Sequence, residues 1–355
     1  MSSDSQVLRV ALDTPLRRLF DYLAPTPSGA SAIPAGVRVR VPFGRQRLVG
    51  LVMASADHSE LPRERLKAVL EVLDREPVLD TAALALLAWA ADYYHHPIGE
   101  VVAGALPKSL RGGAAARAQE EQWVVTAAGA QQFAQGEPRR ARKQRALLEF
   151  LMAAGASSVD VLNERLPAWR EAARALLARG WVATSSVTPV QPPSLASVLA
   201  AGPELSGEQA EAVAAIGAAL GDYAAFVLHG ITGSGKTEVY LQLVTRVLAA
   251  GRRVLVLVPE IGLTPQLVGR FRERFATPMA VLHSALTDQQ RLRAWRDAFS
   301  GHARIVLGTR SAVFAPVPDL GLIVVDEEHD ASFKQHEGAL RYSARDLAVV
   351  RARHA

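Results

Sequence analysis

Eight residues constrain this chain more than any others: Gly230-Ile231-Thr232-Gly233-Ser234-Gly235-Lys236-Thr237 fills the pattern G-x-x-x-x-G-K-[ST] without a mismatch. Such a loop needs glycine because backbone N–H groups turn inward around a polyphosphate, where a Cβ would block both the left-handed dihedrals and the close approach. Lys236 is placed to reach the β- and γ-phosphates, and Thr237 to offer its hydroxyl to Mg²⁺. The flanks suit the motif. Ala225 to Leu228 is a short apolar run, and Phe226 to His229 is predicted as the strand entering the loop. Glu238 to Ala250 carries Val239, Leu243 and Val247 at helical spacing, with Gly251 as its stop. The helix N-terminus adds partial positive charge to a phosphate site. A mere tight turn would need neither the strand, the lysine nor the threonine.

At 355 residues and 49% hydrophobic composition, two to three globular domains are expected. No run of about 18 apolar residues occurs and no basic segment precedes an apolar stretch at the N-terminus, so the expectation is a cytoplasmic protein with no membrane partner. The absence of cysteine excludes disulfides and Cys-ligated zinc within these residues. His95 and His96 are neighbours on the chain and so rarely face one ion, which argues against a metal there. A net charge of +5 allows a polyanionic partner without demanding one.

Residues 1–110 read as a small β-rich domain, with strands expected at Val7 to Leu12, Val37 to Val41 and Leu48 to Met53. The turn from Pro42 to Arg47 holds Phe43, Arg45 and Arg47, which suits either a nucleic-acid end or an ordinary solvated hairpin. Thr81 is expected to cap a helix running to Tyr94. Residues 115–185 predict three short helices: Arg142 to Ala154 closed by Gly155, Ser158 to Leu166, and one started by Pro167 with Trp169, Ala173, Leu176 and Leu177 on one face and Gly180 as its stop. With Trp181-Val182 following, this suggests a winged helix. Arg139, Arg140, Arg142, Lys143 and Arg145 are either a solvated helix end or a DNA contact. Residues 186–202, with Pro192 and Pro193, read as a linker. From 203 to 355 strands and helices alternate: Val254 to Val258, Met279 to Leu282, Arg304 to Leu307 and Leu322 to Val325 are apolar strands separated by helices around Gln266 to Phe275 and Asp288 to Phe299. This predicts a parallel α/β sheet.

Leu322-Ile323-Val324-Val325 leads into Asp326-Glu327-Glu328-His329, so carboxylates are expected at the C-terminal end of a buried strand, the edge where such sheets bind ligands. Asp326 suits Mg²⁺, and Glu327 suits orienting and activating an attacking water. With the phosphate loop, the pair points to nucleoside triphosphate hydrolysis.

The Asp-Glu-x-His form is the second motif of superfamily 2 helicases. Pro259-Glu260-Ile261-Gly262-Leu263-Thr264-Pro265-Gln266, His283-Ser284, Gly308-Thr309-Arg310-Ser311 to Pro316, Phe333-Lys334-Gln335 and Tyr342-Ser343-Ala344-Arg345-Asp346 resemble the PriA family of bacterial replication-restart helicases. Phe20-Asp21-Tyr22, Val41 to Arg45, Leu66 to Val69 and Tyr93 to Gly99-Glu100 extend the likeness to the front of the chain. The match is weakest over residues 112–200. The resemblance implies a multidomain chain: a 3′ DNA-binding domain at 1–110, a winged helix at 115–185 and a RecA-like helicase lobe at 203–355. It implies a terminal-nucleotide pocket at Phe20, Asp21, Gly36 and Lys67, and contacts to single-stranded DNA from Thr264, Gln266, Thr309 and Arg310. Gln209 resembles the glutamine that reads adenine, although a surface helix glutamine would look similar.

ATP and Mg²⁺ are the implied cofactors, and forked and single-stranded DNA, primosome proteins and single-stranded-DNA-binding protein the implied partners. The implied activity is a 3′-to-5′ helicase that recognises stalled forks and starts primosome assembly. The family's second lobe, arginine finger and zinc-binding cysteines do not appear before Ala355, so the expectation is the front half of a motor that alone hydrolyses ATP slowly. A fork-recognition and loading module without turnover is the alternative, and an unrelated superfamily 2 translocase fits the N-terminal motifs less well.

Overall fold

Along Val7–Leu12 (β1) five of six side chains are buried, because this strand sits in the middle of a curled sheet. The computed structural model describes residues 6–25, 32–117, 120–139, 141–187, 199, 202–231, 233–338 and 340–355. These divide into two compact units, Met1–Ala116 with Pro192–Ala355, and Arg117–Gln191.

In the larger unit, β1 is joined by Phe20–Leu23 (β2), Arg38–Phe43 (β3), Gln46–Ala56 (β4), Lys67–Ala68 (β5) and Glu71–Val72 (β6), in the order β5-β2-β1-β4-β3-β6. The two edge strands are consecutive in the chain. Between them Val69 N–H donates to Leu23 and Leu70 N–H to Arg40, so the sheet closes on itself around Leu8, Val10, Phe20, Tyr22, Val39 and Val52. Closure leaves few unpaired edge groups. Three helices follow: Thr81–Tyr93 (α1), Ile98–Ala105 (α2) and Lys108–Arg111 (α3). The cap of α1 is Asp80, whose side chain accepts from Ala83 N–H, and not Thr81. A carboxylate one residue earlier reaches the third helical N–H that Thr81, already helical, cannot.

The sheet of the second half is fully parallel and ordered β11-β12-β10-β13, from Arg253–Leu257 (β10), Met279–Leu282 (β11), Ile305–Gly308 (β12) and Leu320–Val325 (β13). Its strands read as unbroken apolar runs because both faces are covered. Val254, Val256, Ile305 and Leu307 pack under Lys236–Ala249 (α9) and Pro265–Arg274 (α10). Leu255, Leu257 and Val306 face the opposite way, onto Asp288–Phe299 (α11) and Ala344–His354 (α12). The same core includes Leu84, Leu87, Val101 and Leu110 from α1 to α3, so the helices that follow the barrel and the parallel sheet share one apolar interior.

The expected strand Phe226–His229 does not form. Among the described residues the segment joins no ladder and β13 pairs with β10 alone; Val227 is 85% exposed and Phe226 50%. Apolarity signals that a segment needs cover, but strand geometry also needs a hydrogen-bonded neighbour.

The smaller unit holds a three-stranded sheet, ordered β8-β7-β9, of Glu120–Val125 (β7), Ser157–Ser158 (β8) and Val182–Val187 (β9), with helices Ala127–Ala134 (α4), Arg142–Ala154 (α5), Val159–Arg165 (α6) and Trp169–Ala178 (α7). Trp123, Leu148, Leu151, Leu162, Trp169 and Leu176 form its core. The third helix starts at Trp169, not Pro167, after Ala168 in a left-handed conformation at φ 56°. Its buried face holds Ala172 beside Ala173 and Leu176, and Leu177 is 42% exposed. In the basic cluster, Arg145 pairs with Glu149 at 3.0 Å and Arg139 with Glu137 at 3.3 Å, while Arg142 and Lys143 are exposed. Arg140 and most of the expected linker 186–202 lie outside the described residues. Among the described residues no helix is long and apolar enough to cross a membrane.

Candidate functional site

Gly233 and Gly235 adopt φ 83° and 81°, a left-handed geometry that side chains resist, and Gly235 forms the N-cap of α9. Gly230 lies so close to the loop's other limb that an added Cβ would stand 2.6 Å from Ser234 Oγ. Lys236 Nζ donates to the Gly230 carbonyl at 2.7 Å and stands 3.9 Å from Glu327 Oε1. Thr237 opens the first turn of the helix.

Across from the loop, β13 delivers Asp326 and Glu327 at its C-terminal end. Asp326 N–H donates to Leu257, continuing the ladder for one residue, and the chain then turns with Glu327 at φ 47°. Non-glycine residues adopt such dihedrals at a cost that clusters at functional sites. Asp326 Oδ1 accepts from Glu327 N–H at 3.1 Å and Oδ2 from the Tyr240 hydroxyl at 3.3 Å. Burial, then the neighbouring Glu327 charge, raises the Asp326 pKa above the usual carboxylate value. Burial and Asp326 likewise push the Tyr240 phenol upward, so it stays a proton donor. His329 Nδ1 lies 3.8 Å from Glu327 Oε2.

Lys236, Thr237, Asp326 and Glu327 thus line one cleft of about 650 Å³, together with Ile231, Gly233, Gly235 and Arg270. That volume falls in the range of small-molecule sites. Its wall is stiffened by a nearly buried ion pair, Arg274 Nη2 to Glu238 Oε1 at 3.1 Å. A hydroxyl, a carboxylate and a cation beside a glycine loop fit Mg²⁺ with a polyphosphate, since Mg²⁺ takes one or two protein oxygens and leaves the rest to phosphate and water. The residues do not fit zinc: the sequence has no cysteine, and no group of three His, Cys, Asp or Glu side chains gathers among the described residues.

Gln209 lies beside this loop but outside the cleft lining. Its Nε2 donates to Ser234 O at 2.9 Å, and its Oε1 accepts from Ser206 N–H at 3.0 Å within a capping box at the start of Gly207–Ala218 (α8). Both ends of the amide are engaged by the protein, which clamps the loop to α8.

The four motor-lobe residues expected at DNA lie at the C-terminal edge of the sheet. Thr264 caps α10 by accepting from Leu267 N–H, and Gln266 is exposed on that helix's first turn. Thr309 is only 4% exposed, and Arg310 Nη1 donates to Ser332 O and Lys334 O. In the barrel, Phe20 and Asp21 are neighbours on β2 and so face opposite sides. Phe20 is 9% exposed, edge-on to Phe43 at 5.2 Å, with the Arg18 guanidinium 4.8 Å over its ring. Asp21 Oδ2 accepts from Ser59 Oγ at 2.6 Å, and exposed Lys67 stands opposite Tyr22 on the next strand. Gly36 lies three strands away along the ladder through Val52 and Val10. Its φ of 88° and the 2.1 Å that would separate a Cβ from Leu79 O explain the glycine.

Sequence reasoning missed Tyr240 and Arg270. Both fall on helix positions indistinguishable from packing or surface residues; the only signal was a polar hydroxyl on the apolar stripe of α9.

Comparison with known proteins accords with this geometry. Residues 9–107 match a family described as 3'DNA-binding domain (3'BD), and residues 207–354 match the DEAD/DEAH box helicase family. The chain is 41% identical over 98% of its length to the replication restart protein PriA of Haemophilus influenzae, covering 47% of that protein. It is 34% identical to PriA of Synechocystis over 90% of its length, and 32% identical to PriA of Bacillus subtilis over 95%, covering 48% and 50% of those proteins. The chain therefore spans about half the length of the curated relatives it matches. A nucleotide-type loop and acidic strand end in a helicase domain, preceded by a 3' DNA-binding domain and matched over 90% or more of the chain by these relatives, establish that the chain belongs to the PriA family of replication restart proteins.

Proposed function

We propose that the chain is the fork-binding and ATP-binding half of an ATP-dependent 3′-to-5′ DNA helicase that recognises stalled forks and starts primosome assembly with single-stranded-DNA-binding protein and primosome partners. The observation carrying this reading is the convergence of Lys236, Thr237, Asp326 and Glu327 on one cleft. In this role the Lys236 ammonium exchanges the Gly230 carbonyl for the β- and γ-phosphates, and the Thr237 hydroxyl and Asp326 carboxylate hold Mg²⁺. Held there, Mg²⁺ would offset the negative charge that develops on the phosphate oxygens. Glu327 orients the attacking water. The smaller unit is read as the family's winged helix on duplex DNA, and Phe20, Asp21, Gly36 and Lys67 of the barrel as the terminal-nucleotide pocket of the 3′ DNA-binding domain. Thr264, Gln266, Thr309 and Arg310 are read as the backbone contacts to the translocating strand.

The test pairs binding with turnover. Lys236→Ala should abolish ADP binding and leave affinity for forked DNA nearly intact; unchanged nucleotide affinity would sink the assignment. Tested alone, the 355 residues should release phosphate slowly even with forked DNA, because an arginine finger is worth about 10³ to 10⁵ in rate and superfamily 2 motors draw it from their second lobe. Rapid DNA-stimulated release, abolished by Glu327→Gln, would overturn that expectation.

A further inference from the structure

Tyr240 is the single polar residue among the buried positions of α9. It is 5% exposed, and its ring lies nearly parallel to Phe271, 6.3 Å between centroids. A phenol buried this deeply needs a hydrogen-bond partner. The one it has is the acidic end of β13: its hydroxyl donates to Asp326 Oδ2 at 3.3 Å. Thr237 lies three residues earlier on the same helix, and so on the same face. One buried hydroxyl therefore ties α9 to the end of β13.

We propose that Tyr240 is the positioning residue of the Mg²⁺ site, holding the Asp326 carboxylate in its ligating orientation. The proposal rests on the reading of the Lys236 cleft as a Mg²⁺–nucleotide site. Mg²⁺ demands near-octahedral geometry at about 2.0–2.1 Å and tolerates misplaced ligands poorly. An aspartate carboxylate turns broadly about χ2. On the Asp326 carboxylate, Glu327 N–H anchors Oδ1, while Tyr240 anchors Oδ2 and leaves that oxygen a second lone pair. Because Tyr240 lies one turn beyond Lys236, the helix that carries the phosphate loop also carries the group that aligns the opposite strand.

Tyr240→Phe removes the hydroxyl and keeps the ring against Phe271. The measurement is ADP affinity of the full chain across a Mg²⁺ titration that starts in EDTA, with Mn²⁺ electron paramagnetic resonance as the spectroscopic readout. Partners that align metal ligands typically change metal affinity by about 10- to 100-fold. Tyr240→Phe should therefore keep the wild-type ADP affinity in EDTA and need about 10- to 100-fold more Mg²⁺ for the metal-dependent gain. It should also broaden the Mn²⁺ signal. A p-aminophenylalanine at this position, which restores a donor, should recover the metal response. A merely structural role would weaken ADP binding equally with and without Mg²⁺, and that result would overturn the proposal. Coincident Mg²⁺ titrations for Tyr240→Phe and wild type would overturn it as well. A wild-type chain whose ADP affinity ignores Mg²⁺ would overturn both this inference and the reading of the cleft.

Discussion

Asp21 illustrates how much one carboxylate can decide. It sits on β2 with one oxygen accepting from Ser59 Oγ, on the face of the strand opposite to Phe20, whose ring belongs to the barrel interior. If the barrel takes a 3′ end, the nucleotide's hydroxyl is a donor that Asp21 can accept, whereas a 3′-phosphate brings negative charge against it. Forks with a free leading-strand 3′ end should bind more tightly than the same forks carrying a 3′-phosphate, by about 1.5–3 kcal/mol, the worth of a hydrogen bond to a charged group. Asp21→Ala should narrow that gap. Equal affinities for the two forks in the wild-type chain would count against the pocket. Residues such as Lys236 and Asp326 were legible in the sequence because their chemistry dictates both identity and spacing. Tyr240 was not, because an aromatic on the apolar stripe of a helix satisfies the packing pattern before it satisfies anything else.

At the scale of elements, local signals placed most boundaries. Helix α11 begins at Asp288 because Thr287 and Gln290 form a reciprocal capping box, and α5 ends where Gly155 takes φ 77°. Close approach, by contrast, was invisible. Gly99 on α2 lies against β1 so tightly that a Cβ would stand 1.5 Å from the Leu12 carbonyl oxygen. A backbone oxygen has no rotamer into which it can retreat, so Gly99→Ala must shift the helix off the barrel. Overpacking of this kind costs about 1–3 kcal/mol or more. The urea midpoint of the larger unit should fall with little change in slope; an unchanged midpoint would mean that α2 is not seated as described.

For the molecule as a whole, the joint between barrel and motor lobe carries the largest predicted effect. Arg38 is 1% exposed, pairs with Asp74 at 2.7 Å and donates to the Leu110 carbonyl. Leu110 belongs to the core that also holds Trp295, Val306 and Leu347 of the second half. Nearby, Arg296 of α11 donates to Ala115 O at 2.6 Å, and its pKa is lowered by burial and by the Arg38 charge. Further along, Ser343 N–H donates to the Tyr94 hydroxyl and Arg341 N–H to His96 Nε2. Asp74→Ala leaves a buried guanidinium unpaired, a change that costs about 3–5 kcal/mol. Because the interior is shared, hydrogen exchange of the β12 amides should accelerate although Asp74 lies far from β12 in sequence. Acceleration confined to barrel amides would show that the two halves unfold separately.

The sequence alone determined which residues meet in the cleft, the parallel α/β order of the second half and the family, because a glycine loop, carboxylates at a strand end and two-sided burial each leave a local pattern in the residues themselves. Only the tertiary structure decided that Phe226 to His229 would find no ladder, that Gln209 would spend both ends of its amide on Ser206 and Ser234, that Arg310 would turn onto the Ser332 and Lys334 carbonyls, and that α1 to α3 would share a core with the motor sheet. Each of these depends on a neighbour distant in the chain, and local composition records that a group needs a partner without recording which partner the fold will bring.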